Sequence, residues 1–167
     1  MSDLTNVEVL LPELRAYARS ICQSSEEADD LVQDAAERAL RSDTRPKELA
    51  DLRPWMFRVV RNLFFDELRK HRVRREYSTV QGRLSHDSQN VPDRENDVLL
   101  RLAYEKLQPE FKEILFLVDV MGLKYAEAAR VIDAPNGTVM SRVSRARKAL
   151  LDLVGRDEKT PAEVKRT

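Results

Sequence analysis

Lys124 to Leu151 reads KYAEAARVIDAPNGTVMSRVSRARKALL, and two helical patterns lie in it on either side of a short break. The first, Tyr125 to Ile132, carries Ala128, Ala129, Val131 and Ile132 at helical spacing. The break is Asp133-Ala134-Pro135-Asn136-Gly137, where Pro and Gly punctuate the chain. The second pattern runs from Thr138 to Val154. At about 100° per residue, Val139, Val143, Ala146, Leu150 and Leu153 share one face. Ser141, Ser144, Arg145 and Lys148 gather opposite, with Thr138, Met140 and Arg142 on the flanks. Between Pro135 and Leu151 there are four basic residues (Arg142, Arg145, Arg147, Lys148) and no acid. Two helices on a tight turn, the second basic and hydroxyl-rich outside, are what a helix-turn-helix requires. Such a helix offers donors to base edges, and its N-terminus can face phosphate. Composition alone would also suit an ordinary basic surface helix. The turn and the Ser–Arg face favour DNA.

The net charge of zero hides a pattern. Residues 1–44 carry −6, residues 45–75 carry +6, residues 76–134 carry −4 and residues 135–167 carry +4. Alternating blocks suggest an acidic face for a basic protein partner and two basic faces for nucleic acid. The single cysteine, Cys22, excludes an internal disulfide and suits a reducing cytosol. It lies in an apolar helical run and reads as a small buried thiol. No stretch is long and apolar enough to insert into a membrane, and the N-terminus shows no charged-then-apolar signal. Helical periodicity dominates and no hairpin dipeptide separates alternating runs, so the class is all-α with no sheet.

Taken in order, Val7 to Cys22 places Val7, Leu10, Leu11, Leu14, Ala18 and Ile21 on one helical face. Ser24 followed by Glu27 is a capping-box pattern for a second helix, with Glu26, Glu27, Asp29 and Asp30 at its start. Ala28, Leu31, Val32, Ala35, Ala39 and Leu40 form its inward stripe. Asp30, Gln33, Asp34 and Glu37 share the outside, which from spacing alone reads as a solvated acidic face. A metal site is unsupported, because neither His nor Cys joins these carboxylates. Asp43 to Pro54 reads as a loop or short turn feeding the longest helix. There Trp55, Val59, Val60, Leu63, Phe64 and Leu68 form core, and Arg58, Arg61, Asn62, Arg69, Lys70, Arg72, Arg74 and Arg75 give a basic side. Basic residues interleaved with rings suit single-stranded DNA, although for Trp55, Phe57 and Phe64 core packing is the favoured reading. Glu76 to Asn96 is polar and reads as a flexible linker. After it, Val98, Leu99, Leu102, Ala103 and Leu107 point inward, and Pro109 starts a helix through Phe111, Ile114, Leu115, Leu117 and Val118. Beyond Gly155 the chain has little to bury and is expected to fray.

Two blocks carry a family resemblance. The stretch LQPEFKEILFLVDVMGLKYAEAARVIDAPNGTVMSRVSRARKAL contains L-x-P-x-x-[RK]-E (Leu107, Pro109, Lys112, Glu113), G-L-x-Y-x-E-A-A and G-T-V-x-S-R-V-x-R-A-R. It resembles the second domain of an extracytoplasmic-function (group IV) RNA polymerase sigma factor of the sigma-70 family. LVQDAAERAL and LRPWMFRVVRNLFFDELRK resemble the first domain, and together the blocks hold 73 of the 167 residues. The resemblance implies that D-D-L-V-Q-D docks on the β′ clamp helices of core RNA polymerase through Asp30, Gln33, Asp34 and Arg38. It implies that the W-x-F-x-V-x-R-N-x-x-x-D helix engages the unwound minus-ten element through Arg58, Arg61, Asn62 and Arg69. It further implies that Thr138, Ser141, Arg142, Ser144, Arg145 and Lys148 read the minus-thirty-five duplex, with the β flap and an anti-sigma factor as additional partners. Two positions depart from the family pattern. Met140 stands where Lys is usual, implying a weaker phosphate contact, and Asp133 where Gly is usual, implying a stiffer turn.

The expected architecture is two small helical domains, 1–75 and 97–155, joined by linker 76–96 and followed by tail 156–167. The second is a four-helix domain with the helix-turn-helix. The expected function is that of an alternative sigma factor, active in the stress response and held in check by an anti-sigma factor. No catalytic residue, metal or cofactor is expected: there is no nucleophile–His–acid set and no Gly-rich phosphate loop, and His71 and His86 lie in a basic patch and the linker. On the outer face of the last helix, Arg145 is expected to face the bases, with Arg147 and Lys148 nearer phosphate. A sigma-like decoy that sequesters an anti-sigma factor is the alternative, but it would have no reason to keep that helix basic. A self-contained dimeric repressor or activator would leave the first domain unexplained.

Overall fold

The computed structural model describes residues 2–75 and 95–159, so most of the expected linker and the last eight residues of the expected tail lie outside the described residues. Seven α-helices run in order: α1 Ser2–Ile21, α2 Ser25–Arg41, α3 Leu49–Arg75, α4 Glu95–Glu105, α5 Pro109–Leu115, α6 Tyr125–Ile132 and α7 Asn136–Lys159. A π-helical turn, Phe116–Val120, extends α5. No strand occurs among the described residues. Backbone contacts divide the chain into two compact units. One holds α1, α2 and α3 together with residues 126–133, and the other holds α4, α5, the π turn and α7.

In the first unit α1, α2 and α3 all pack on one another. Ser24 caps α2, its hydroxyl oxygen accepting from the Glu27 amide at 3.1 Å, while the Glu27 carboxylate reaches back to the Gln23 amide at 3.2 Å. The first bond satisfies a donor that the helix start leaves orphaned, and the second ties the residue before the cap back to the first turn. The core is Val7, Leu10, Leu14, Tyr17 and Ala18 from α1, with Ala28, Leu31, Val32, Ala35 and Ala39 from α2. Leu52, Met56, Phe57, Val60 and Leu63 complete it from α3. Arg53 on α3 donates to Glu13 on α1 at 2.7 Å, and Asn6 donates to the Lys47 carbonyl at 3.1 Å.

Three expectations fail here, each for a packing reason. Residues 49–54 are the first turns of α3 rather than loop. Pro54 lies inside the helix and is fully buried, and Leu52 and Met56 beside it are core, so burial outweighs the proline's lost hydrogen bond. Leu68 is 43 % exposed, because α3 has 27 residues against 20 and 17 in its neighbours and buries nothing beyond Leu63. Leu40 is also exposed, since the α2 stripe steps by fours through Leu31, Ala35 and Ala39 and passes it by.

The second unit centres on α7, which packs on α4 and α5. Its buried stripe is Val139, Val143 and Ala146, with Leu150 and Leu153 partly covered. In α4 the inward step is Leu99 and Ala103, continued by Leu107 just past its end, so Val98 and Leu102, expected inward, are half exposed. Tyr104 hydroxyl donates to the Lys112 carbonyl at 2.8 Å, joining α4 to α5, and burial holds its proton well above the usual phenol range. The π turn closes through the Met121 amide on the Phe116 carbonyl at 2.8 Å and the Leu123 amide on the Leu117 carbonyl at 3.0 Å. Gly122 supplies the left-handed residue that this closure needs, at φ 71°. At the other end, α7 runs through Gly155 to Lys159, past the expected boundary.

Candidate nucleic-acid and polymerase interface

The break between α6 and α7 is three residues, Asp133, Ala134 and Pro135, shorter than the five expected. Asp133 sits at φ 55°, which explains a pattern preferring glycine there; Asp is among the few side chains that tolerate this region. The Pro135 carbonyl accepts from the Thr138 and Val139 amides at 3.0 and 3.2 Å, so Asn136 and Gly137 already belong to α7. A proline immediately before the helix fits a start at which donors are unpaired in any case.

The outward face of α7 is as the periodicity implies. Ser141, Ser144, Arg145 and Lys148 are exposed, and Thr138 and Arg142 lie half-buried at its edges. Ser141 Oγ donates to the Thr138 carbonyl at 3.1 Å, and Arg145 Nε to the Ser141 carbonyl at 3.4 Å, a long and weak bond. Among the described residues, none of Arg142, Arg145 and Lys148 has a carboxylate partner. Arg147 differs. Its Nε and Nη2 both donate to the Asp119 carboxylate of the π turn, so the expected phosphate ligand is committed inside its own unit.

On α2, Asp30, Gln33, Asp34 and Arg38 are all exposed. Arg38 Nε lies 3.8 Å from Asp34, one turn earlier. The residues fall over two clefts. Asp30 and Asp34 border one of about 230 Å³ between α2 and α3, with Glu27, Glu67, Phe64, Leu31, Cys22 and His71 completing its wall. Gln33 borders a second, lined by Leu11, Arg15, Arg19, Asp29, Val32 and Ala36 between α1 and α2. Glu67 and His71 escape a sequence reading because their cleft partners lie more than thirty residues away.

Burial, reinforced by the Glu27 carboxylate, pushes the Cys22 thiol up to about 12. The folded chain therefore favours the neutral thiol. Its contribution to stability is intact below the ordinary thiol range near 9 and is lost as pH rises above it. Alkylation of Cys22 by iodoacetamide at pH 8 should be slower in the native than in the denatured chain by about a hundredfold or more. Equal rates would show an accessible, ordinary thiol.

The basic side of α3 contains a residue absent from the sequence reading. Arg58, Arg61, Asn62, Phe65 and Arg69 recur at three- and four-residue steps and so share one face. Phe65 is half-buried, its ring meeting Phe64 edge-on at 5.4 Å, and the Arg61 guanidinium lies 4.6 Å from its ring centroid. Arg69 pairs loosely with Asp66 at 3.4 Å. Trp55 and Phe64 are half-buried, and Phe57 is wholly core. A ring with one partly exposed face beside a cation has the chemistry to stack on an unpaired base. The spacing of Phe65 from Arg61 and Asn62 was the available signal. Among the described residues no group of His, Cys, Asp and Glu is arranged to hold a metal ion, and no helix is long and apolar enough to cross a membrane.

Comparison with known proteins places both units. Residues 7–74 match the Sigma-70 region 2 family and residues 97–150 match Sigma-70, region 4. The ECF RNA polymerase sigma factor EcfG of Rhodopseudomonas palustris is 35% identical over 147 residues, covering 86% of this chain and 80% of that protein. The ECF RNA polymerase sigma factor SigC of Mycobacterium tuberculosis is 34% identical over 128 residues, covering 74% and 68%. Among solved structures, the sigma factor RpoE of Bartonella quintana, in complex with the anti-sigma factor NepR, superposes with a TM-score of 0.73 at 29% identity, covering 92% of this chain and 96% of that one. With one region matched over each part of the chain, in the order α1–α3 and then α4–α7, this protein belongs to the sigma-70 family, among its ECF RNA polymerase sigma factors.

Proposed function

We propose that this chain is an alternative sigma factor that binds core RNA polymerase, directs it to promoters and helps open them, with no bond chemistry of its own. The observation that carries this reading is the α7 face. Ser141, Ser144, Arg145 and Lys148 stand exposed on a helix whose other side is core, in a chain whose other unit presents separate acidic and basic faces. In the mechanism, Asp30, Gln33, Asp34 and Arg38 dock α2 on the β′ clamp helices. The stripe Arg58, Arg61, Asn62 and Arg69 holds the minus-ten strand once it is unwound, with Phe65 offering a ring to an extruded base. Unstacking a base costs a few kcal/mol, and such contacts offset part of it. The second unit meets the β flap and reads the minus-thirty-five duplex through Thr138, Ser141, Arg142, Ser144, Arg145 and Lys148. The protein works in the cytoplasm, where core polymerase and promoter DNA are.

Control by an anti-sigma factor is supported by the RpoE relative, which was solved bound to one. The decoy alternative accounts for the first unit alone, and an acid-free, basic α7 face from Pro135 to Leu151 weighs against it. Run-off transcription with core polymerase and genomic promoter fragments tests the whole reading. Specific start sites are expected, and their absence at every fragment would overturn it.

Docking has its own test. Asp34 is exposed on α2, so Asp34→Lys should leave far-UV circular dichroism unchanged. It should weaken association with core polymerase by roughly tenfold or more, since it places a cation where the cleft is acidic and frees Arg38. A loss of helicity would show instead that Asp34 is structural.

A further inference from the structure

Between Pro135 and Leu151 there are four basic residues, and among the described residues three of them have no carboxylate partner. Arg147 lies on the flank of the helix, about 70° round from the buried Val139–Val143–Ala146 stripe. In a helix laid into a major groove, flank positions face the phosphate walls rather than the base edges. An unattached arginine there would grip any duplex. Instead Asp119 takes it by two parallel bonds, Nε to Oδ2 at 3.1 Å and Nη2 to Oδ1 at 2.5 Å, across 28 residues of chain. The Asp119 carboxylate holds the guanidinium proton more tightly than in the free residue. Asp119 stands on the π turn, where the regular path of α5 is broken. Such single-turn irregularities are concentrated at functional places.

We propose that Asp119 is a positioning residue that withholds Arg147 from the DNA backbone, so that α7 binds with fewer sequence-independent contacts and depends more on its outward face. The inference rests on the reading of α7 as a DNA-binding helix. Fork-to-fork geometry suits this role better than a lysine pair would, because two bonds fix the guanidinium plane and a phosphate must break both to recruit it. Half exposure of both partners keeps the pair within reach of the groove wall. The geometry therefore has a consequence that simple stabilisation lacks: removing the acid should create a phosphate ligand.

Binding of the full chain to a mixed-sequence duplex, followed by fluorescence anisotropy over a range of salt concentrations, tests this directly. Each phosphate neutralised steepens the plot of log affinity against log salt by about 0.9. Arg147→Ala should keep the wild-type slope. Asp119→Asn should steepen it by about 0.9, and the double variant Asp119→Asn with Arg147→Ala should return it to the wild-type value. A slope flattened by about 0.9 in Arg147→Ala would mean that Arg147 already binds phosphate, and would overturn the proposal. An unchanged slope in a folded Asp119→Asn would overturn it too. Should Asp119→Asn lose its helical dichroism, Arg147→Gln decides alone: the wild-type slope supports the proposal and a flatter one overturns it. A wild-type chain that binds no duplex at any salt removes the DNA-binding reading itself, which separates that failure from failure of the pair.

Discussion

Phe57→Ala should cost the three-helix unit about 3–5 kcal/mol, a large part of the stability of a small domain. Phe57 is fully buried, as is Tyr17 opposite it on α1, and their ring centroids lie 5.2 Å apart at a tilt of 55°. Arg53 reaches over the same ring at 5.9 Å while its Nε holds Glu13, so one aromatic is packed from two sides where α1 meets α3. Truncation leaves a ring-sized void between helices already locked by that ion pair, and such sites collapse poorly. Urea titration followed by circular dichroism should show an early transition belonging to the first unit. Association with core polymerase should fall with it. Phe65, eight residues along the same helix, is the internal control: it is only half-buried, and its removal should cost clearly less than that of Phe57. A loss at Phe57 no larger than at Phe65 would mean that the α1–α3 contact is not what holds the unit together.

The two aromatics also show what periodicity alone can tell. Three- and four-residue steps place Arg58, Arg61 and Asn62 on one side of α3 and Val60 and Leu63 on the other, as the structure has them. They do not tell where a helix outruns its neighbours. Leu68 satisfies the inward pattern and is still exposed, because burial depends on the lengths of α1 and α2. Breaker residues mislead for a related reason. Pro54, Gly137 and Gly155 all lie within helices, each marked in the sequence by a local cost that packing or the helix start absorbs. Asp133 is the reverse: its local chemistry identifies the turn, and its φ of 55° gives the reason glycine is favoured there. The outer face of α7 was legible because it depends on one period within one element. The Asp119–Arg147 pair was not, because it joins residues 28 apart across a π turn that no hydrophobic period announces. Helix faces are local facts; pairs across a fold are not.

Arg145→Ala should relax base preference at one position of the minus-thirty-five element, while Lys148→Ala should weaken every sequence alike. Both side chains are exposed on the face away from Val139, Val143 and Ala146, but their chemistry differs. Arg145 is a planar fork held, among the described residues, by a 3.4 Å bond from Nε to the Ser141 carbonyl, which leaves its terminal amino groups to meet a guanine edge. A bidentate arginine–guanine contact is worth about 1–3 kcal/mol of discrimination, or about 5- to 150-fold between the right and wrong base. Lys148 is a point charge nearly a turn further along, where the helix leaves the bases for the backbone, and a phosphate contact there carries no sequence information. Its loss should flatten the salt dependence by about 0.9 without changing the ranking of sequences. The measurement is affinity of the full chain for a panel of single-base variants of the upstream element, at several salt concentrations. For Arg145→Ala the expected signature is a flat response at one base pair and an unchanged ranking elsewhere. A uniform loss across the panel, with a salt slope reduced by about 0.9, would make Arg145 a backbone anchor, and the bases would then have to be read through Ser141 and Ser144.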